Sequence, residues 1–262
     1  MGKKKFILFF CLFMMLCGCA TRPTDPDELR IYEETNDPLE PMNRGIHAFN
    51  QVADKAVLKP VAKGYRAVVP SFYRDCVSNF FDNLSQPMHF VNALLQGQFK
   101  DAGSVLGRFV TNTTFGFFGL FDVASEAGIR NPENDFGQTL AKWGWDNDGG
   151  PFLMLPFLGP SNVRDGIGTG VDALGHPLGW ALWNEQGLHY GALAVDAVST
   201  REKALDLLDG LEKTSTDYYA TLRTMSRQNR KKKINQVLNK SEQEQNEKPD
   251  YEADFSDIEW ED

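Results

Sequence analysis

A mainly α-helical fold is predicted by three features of this sequence. Apolar residues recur at helical spacing: Phe80, Leu84, Met88, Val91 and Leu95 follow one another at intervals of four, four, three and four, which gathers them on one face of a helix. Stretches of strict apolar/polar alternation long enough to build a sheet are hard to find. Glycine and proline punctuate nearly every connection between the periodic stretches, as they do where helices are joined by turns.

The first stretch is built for export. Lys3, Lys4 and Lys5 give a positive start, and Phe6 to Leu16 is an almost unbroken apolar run. That run is shorter than the roughly 20 residues a helix needs to cross a hydrocarbon core, so it reads as a secretory signal. It ends in Leu16-Cys17-Gly18-Cys19. Lipid attachment needs a small residue before the modified cysteine; Gly18 provides it for Cys19, whereas bulky Leu16 does not for Cys17. Cys19 is therefore the expected lipidated N-terminus once residues 1–18 are removed. Three acyl chains, at ~0.8 kcal/mol per buried methylene, make a stable anchor. Ala20 follows, not the aspartate that commonly retains such proteins at the inner membrane, which favours the outer membrane.

Residues 19–35 are polar, contain Pro23 and Pro26, and read as a tether between lipid and body. Removing residues 1–18 takes three of the 27 basic residues and no acid, so the mature charge is 24 minus 36, or −12. An acidic body argues against nucleic acid and against electrostatic docking on anionic headgroups. With Cys11 and Cys17 cut away and Cys19 acylated, Cys76 is the only thiol left. No intramolecular disulfide can form, and packing must hold the fold.

The body spans 36–225. After the stripe of Phe80 to Leu95, in which Pro87 is expected to kink or split the helix, Val105, Leu106, Phe109 and Val110 continue the helical pattern. Leu188, Ala192, Val195 and Val198, then Leu205, Leu208 and Leu211, give two more amphipathic segments, and Tyr218, Tyr219, Leu222 and Met225 begin a last one. Residues 226–262 are first basic, through Arg227, Arg230, Lys231, Lys232 and Lys233, and then acidic, with ten acids against Lys248 from Ser241 onward. The basic cluster reads as a solvated helix end or as a binding patch, and the stretch as a whole as a disordered tail. Two segments stand apart: Phe115 to Phe121, and Pro151 to Pro160. Both are apolar all round, rich in phenylalanine and bounded by glycine or proline, and both are too short to span a bilayer. Each reads either as a buried core element or as a piece that dips into one leaflet beside the lipid anchor. Trp143, Trp145, Trp180 and Trp183 lie in the same part of the chain, and tryptophan favours the headgroup level as well as ordinary cores.

Catalytic signatures are missing. There is no G-x-S-x-G elbow, no Walker A sequence and no dinucleotide fingerprint, and His47, His89, His176 and His189 are scattered without an H-E-x-x-H pair. Asp146-Asn147-Asp148-Gly149 looks like the start of a calcium loop but fails on register, since Gly144 would stand where the first carboxylate belongs. Arg108, beside Phe109-Val110, and Arg164-Asp165, after the apolar run, either pair within the domain and cap helices or line a passage where an arginine meets a phosphate. No enzyme activity, cofactor or metal is expected.

Asn36-Asp-Pro-Leu-Glu-Pro-Met-Asn-Arg44 with Phe49-Asn50, Asn79-Phe-Phe-Asp-Asn-Leu84, Asn92-Ala-Leu-Leu-Gln-Gly97, Arg108-Phe109 with Asn112-Thr113, Asp135-Phe-Gly-Gln-Thr-Leu140 and Leu155-Pro-Phe-Leu-Gly-Pro-Ser161 with Arg164-Asp165 together resemble the MlaA/VacJ lipoprotein family. The resemblance runs in order over residues 36–175 and loosens toward Leu211. One departure is the loop Gly144 to Gly150, which looks about two residues longer than the family's glycine-rich turn. The resemblance implies a single ring-like helical domain with amphipathic and short apolar helices seated in one membrane leaflet, flanked by flexible tails. It implies a place on the periplasmic side of the Gram-negative outer membrane, in its inner leaflet, often against a trimeric porin. It also implies a role in lipid traffic: stray phospholipid passes from the outer leaflet through an amphipathic channel to a soluble periplasmic carrier, which keeps the membrane asymmetric. On this reading Phe115, Phe117, Phe118, Leu120, Phe121, Phe152, Leu153, Phe157 and Leu158 face lipid, and Arg108, Asn112, Arg164 and Asp165 make channel or polar contacts. A lipid hydrolase would need the absent nucleophile motif, and a structural lipoprotein would have no use for internal apolar segments.

Mass spectrometry of the mature N-terminus is expected to find diacylglyceryl and N-acyl groups on Cys19. An unmodified Cys19, or a cut elsewhere, contradicts the lipoprotein assignment.

Overall fold

The computed structural model describes residues 23–26, 29, 35–146 and 148–246. The expected signal peptide and lipidation site Cys19, most of the stretch read as a tether, and residues 247–262 lie outside the described residues. The body is mainly helical. α1 (Glu40–Ala53) runs through a π-helical turn, Asp54–Leu58, into α2 (Lys59–Val68); α3 (Ser71–Leu95) then packs along α4 (Phe99–Thr114). After α5 (Val123–Glu126) and α6 (Phe136–Lys142) comes a two-stranded antiparallel hairpin, β1 (Phe152–Leu155) with β2 (Gly159–Asn162), in which Phe152 faces Asn162 and Leu155 faces Gly159. α7 (Val163–Gly175), α8 (Pro177–Ala181), α9 (Gln186–Lys203), α10 (Leu205–Thr214) and α11 (Tyr218–Asn246) complete it.

Local signals explain most boundaries. Prolines open α1, α2 and α8, where the missing N–H would have had no partner. Asp135 caps α6 and trades bonds with Gln138 in a capping box, and Asn162 caps α7 through the Asp165 amide. α3 ends on Gly97, whose φ of +73° lets Gln98 N–H reach Ala93 O and Gly97 N–H reach Leu94 O, the two bonds of a Schellman turn.

The structure sharpens one expectation and overturns two. α3 is one continuous helix through Pro87, so of the two alternatives the split does not occur. The side chains of Ser85 and Gln86 donate to the carbonyls of Phe81 and Asp82 in that turn, and α4, α6 and α9 pack along its length. The run Pro151 to Pro160 is a hairpin, not a short apolar helix. Its prolines and Gly159 at φ +84° break helical continuity, and an unbroken apolar run of this length suits a strand as well as a helix. Residues 226–246 are no disordered tail: α11 runs on to Asn246, with Ile234 and Val237 buried. Blocks of charge around two isolated apolar residues hid that buried side.

The packing inverts the usual order. On α3 the apolar stripe of Phe80 to Leu95 is half-buried at best, and Val91 and Leu95 are exposed. Its buried face is Ser78, Phe81, Asn83, Gln86, Asn92 and Ala93. An amide chain continues inward from there. Thr139 donates to Asn92, Gln96 to Thr139, Asn134 to both Gln96 and Gln98, and Gln98 to the Val237 carbonyl of α11. Buried amides are tolerable only when bonded, so this chain fixes α3, α4, α6 and α11 relative to one another.

The edge of β1 is covered by asparagines seven residues apart. Asn36 accepts from Phe152 N–H through its carbonyl and donates its side chain to Gly150 O. Asn43 donates to Phe152 O and accepts from Met154 N–H, and Asn50 donates to Leu155 O and accepts from Phe157 N–H. On α1, a spacing of seven is two turns, so Asn43 and Asn50 stand in for a third strand and remove an open edge. Behind them Phe152, Met154 and Tyr219 form a small apolar core with Ile46. Asn43→Ala would leave three buried partner groups unpaired, counting Asp37, to which it also donates. The expected loss is at least ~2 kcal/mol, read as a lower urea midpoint at unchanged slope, whereas Asn239→Ala, at an exposed position, should be neutral.

Candidate functional site

The two phenylalanine-rich segments form features of one kind: short loops that hold aromatic rings away from the body. After α4, residues 115–122 fold back on themselves, with Gly119 N–H bonded to Asn112 O and Phe121 N–H to Gly116 O. Gly116 and Gly119 lie so close to Phe121 O and to the Asn83 side chain that a Cβ at either would clash. Asn79 donates to Leu120 O from α3. Above this polar stitching Phe117 is 64% exposed and Phe118 68%, and Phe115 and Phe121 are exposed as well. At the hairpin tip Phe157 is 77% exposed beside exposed Leu158, with Phe49 edge-on to its ring at 5.3 Å. Leu120 and Leu153 are half-buried.

Phe152, predicted to face lipid, is instead 1% exposed and packs edge-on against Tyr219. Alternation along β1 sends Phe152 and Met154 inward and Leu153 and Leu155 the other way. Four non-glycine residues have positive φ among the described residues, Asn36, Phe117, Phe118 and Phe157; three of them are exposed phenylalanines on these two loops. A bulky residue held there carries strain of about 1–3 kcal/mol, which persists where the surroundings over-determine the conformation.

The four polar candidates make bonds within the fold, and Asp165 also borders a cavity together with Asp135, Asn162, Asp172 and Arg230. Arg108, 3% exposed, makes a two-pronged bond to Asp122 at 2.8 Å and also reaches Ser125 and Ile129 O. Asn112 donates to the same carboxylate and accepts from Ala124 N–H. Burial alone would raise the Asp122 carboxyl, but the bonds from Ser125, Asn112 and Arg108 outweigh it and hold it below the usual range. Together they pin the base of the phenylalanine loop. Arg164, fully buried, bonds Asp165 and the Asp146 carbonyl, tying the loop Asp146–Gly149 to the start of α7. Asp165 caps back onto Asn162 and takes a bond from Arg230 at 2.7 Å.

Arg230 is the functional-frame residue the sequence did not disclose. It also holds Asp135 with bonds of 2.6 and 2.7 Å, so one guanidinium joins the N-cap of α6 and the first turn of α7 to α11. These helices approach closely only because Gly137 and Gly168 leave room. The D-x-x-Q spacing at Asp135 announces a helix start, yet nothing in the local pattern names its distant arginine.

Of the histidines, His47 is buried against Tyr218 and Tyr219, His89 bonds Asn134 O at 2.7 Å, and His176 caps α8. No group of metal-ligating residues forms among the described residues, and no helix among them is long and apolar enough to cross a membrane. The exterior is nonetheless apolar over wide areas. Trp143, Trp180 and Trp183 are exposed, and the first two donate their ring N–H to Leu95 O and Leu174 O.

Comparison with known proteins agrees with this picture. The family model described as MlaA lipoprotein matches residues 35–233. The "Intermembrane phospholipid transport system lipoprotein MlaA" of Escherichia coli is 35% identical over 80% of this chain and 80% of its own. The protein of that name from Haemophilus influenzae is 34% identical over 84% of this chain and 86% of its own. A solved structure from work on the structural basis for maintenance of bacterial outer membrane lipid asymmetry superposes with a TM-score of 0.66 at 36% identity, covering 76% of this chain and 98% of that one.

The Arg230 clamp sets an acid limit on stability. Burial pushes the Asp135 carboxyl up, but bonding and charge from Arg230 and the Gln138 amide bring it below its usual value. A folded value below the unfolded one, near 3.9, gives stability that is present above about pH 4 and lost as pH falls further. Asp135→Asn is expected to lower the melting temperature at pH 7 by roughly 4–8 °C, for a loss of about 2 kcal/mol, and to make the decline below about pH 4 shallower. Thermal melts from pH 7 to 3 check both.

Proposed function

The chain belongs to the MlaA lipoprotein family, and on that premise we propose that it moves phospholipid between membranes and so maintains the lipid asymmetry of the outer membrane. Mislocalised phospholipid leaves the outer leaflet through an amphipathic passage in a ring-like body and is handed to a soluble periplasmic carrier. The body is anchored by Cys19 on the periplasmic side of a Gram-negative outer membrane, sits in the inner leaflet, and is held beside a trimeric porin. The reading involves binding and transfer without catalysis.

The observation that carries the proposal is the inverted distribution of side chains. Asn43, Asn92, Gln96, Gln98, Asn134 and Arg164 are buried, while Phe115, Phe117, Phe118, Phe157, Trp180 and Trp183 are exposed. In water the latter would each forgo about 25 cal/mol per Å² of apolar surface left wet. In a leaflet the same rings are solvated by acyl chains, and the indoles sit where headgroups begin. A spacer lipoprotein would gain nothing from strained phenylalanine loops. Porin and carrier are supported by the family resemblance.

Phe117→Asp with Phe118→Asp tests the seat. The rings touch no core, so the purified variant should melt within a few degrees of the parent, while membrane association weakens and outer-leaflet phospholipid rises. Phe152→Asp, in the apolar core, should instead unfold the protein. If the double variant unfolds, or stays fully membrane-bound with normal asymmetry, the loops do not form the membrane face.

A further inference from the structure

A narrow polar column runs along a helix that is otherwise apolar outside. On α9, His189, Asp196 and Lys203 are seven residues apart and so lie in one line, flanked by exposed Leu188 and Val195 on one side and Tyr190 and Leu193 on the other. Facing it, Asp82 of α3 lies 3.7 Å from Lys203 Nζ, and Ser85, one turn on, meets His176 at 3.4 Å. The neighbours on α9 show what a structural role looks like here. Arg201 is locked onto Asp54 and Glu202 onto Arg66, both at 2.7 Å. The column is not locked. Lys203 and Asp82 are both more than half exposed, a pair worth at most about 1 kcal/mol, which opens readily. Asp196 is half-buried and makes no hydrogen bond among the described residues, and burial with the nearby Asp82 charge pushes its carboxyl up. His189 Nδ1 is buried without a partner.

We propose that this column holds a phospholipid headgroup that carries both a phosphate and an ammonium, with the phosphate on Lys203 and the ammonium between Asp196 and Asp82. The assignment rests on the transport reading above and adds the substrate class. A cation and a carboxylate on one line, with a second carboxylate facing them from α3, match the two charges of a zwitterion, and the apolar flanks offer the acyl chains a surface beside it. A lipid with phosphate and no amine would satisfy only Lys203.

The test measures retention of dioleoyl phosphatidylethanolamine, dioleoyl phosphatidylglycerol and dioleoylglycerol by the purified lipidated protein in detergent, by native mass spectrometry. Lys203→Gln should lower retention of both phospholipids about tenfold, the size of one lost charge-assisted contact, and leave dioleoylglycerol unchanged; Lys203→Arg should restore it. Asp196→Asn with Asp82→Asn should weaken the ethanolamine lipid alone. Variants that retain all three lipids like the parent, or lose all three equally, overturn the assignment while leaving transport standing. A parent protein that retains no diacyl lipid overturns the transport reading and this assignment with it.

Discussion

One guanidinium fixes how the three parts of this protein meet. Arg230 of α11 bonds Asp135 and Asp165 together, and each carboxylate also caps or braces the first turn of its own helix. A half-buried arginine needs its charge balanced, and two aspartates at helix starts do this while taking its Nη donors, leaving Nε without a partner. The geometry leaves little freedom. Gly137 and Gly168 must stay small for α6 and α7 to touch, and a Cβ at Gly137 would meet Arg230 and Asp165 at 2.5 Å. From this point Arg164 reaches the Asp146 loop, and the amide chain through Asn134 and Gln98 reaches Val237 farther along α11.

The same economy explains why asparagine and glutamine, rather than leucine and isoleucine, fill the interior. A protein in water gains stability by hiding apolar surface and spends its polar groups outside. Where the exterior is itself apolar, as for a body proposed to sit in a leaflet, burying hydrocarbon gains little, and specific bonds must supply the cohesion. Asn43 and Asn50 do for β1 what a neighbouring strand would do, and Asn112 with Arg108 does it for the phenylalanine loop. Amides carry a donor and an acceptor on one short arm, which suits them to pairing with backbone.

The helices were legible because their period survives inversion: a stripe at spacing three and four marks a helix whether it faces a core or faces out. For the same reason the sequence could not say which way the stripe of Phe80 to Leu95 points, and the buried face turned out to be its polar neighbour. The polar candidates make the pairings within the domain that the sequence offered as one of their two readings. Arg108 and Arg164 find carboxylates 14 residues and one residue away, a pairing that depends on the turn between them. The hairpin and the C-terminal extension of α11 were hidden more deeply. A two-stranded ribbon braced by asparagines has no alternation signal of its own. Ile234 and Val237 are too few to betray a buried side within a run of lysines.

The strained loops follow from the frame beneath them. Phe117 and Phe118 in succession at positive φ would relax if the loop were free, yet Asn79, Asn83, Asn112 and the close-set Gly116 and Gly119 hold the turn in place. If the rings enter lipid as proposed, rigid presentation helps, because a ring already held outward loses little conformational entropy on insertion, whereas a collapsed loop would have to be ordered first. The frame therefore sets the aim of the rings, and the anchor expected at Cys19 would set their distance from the bilayer.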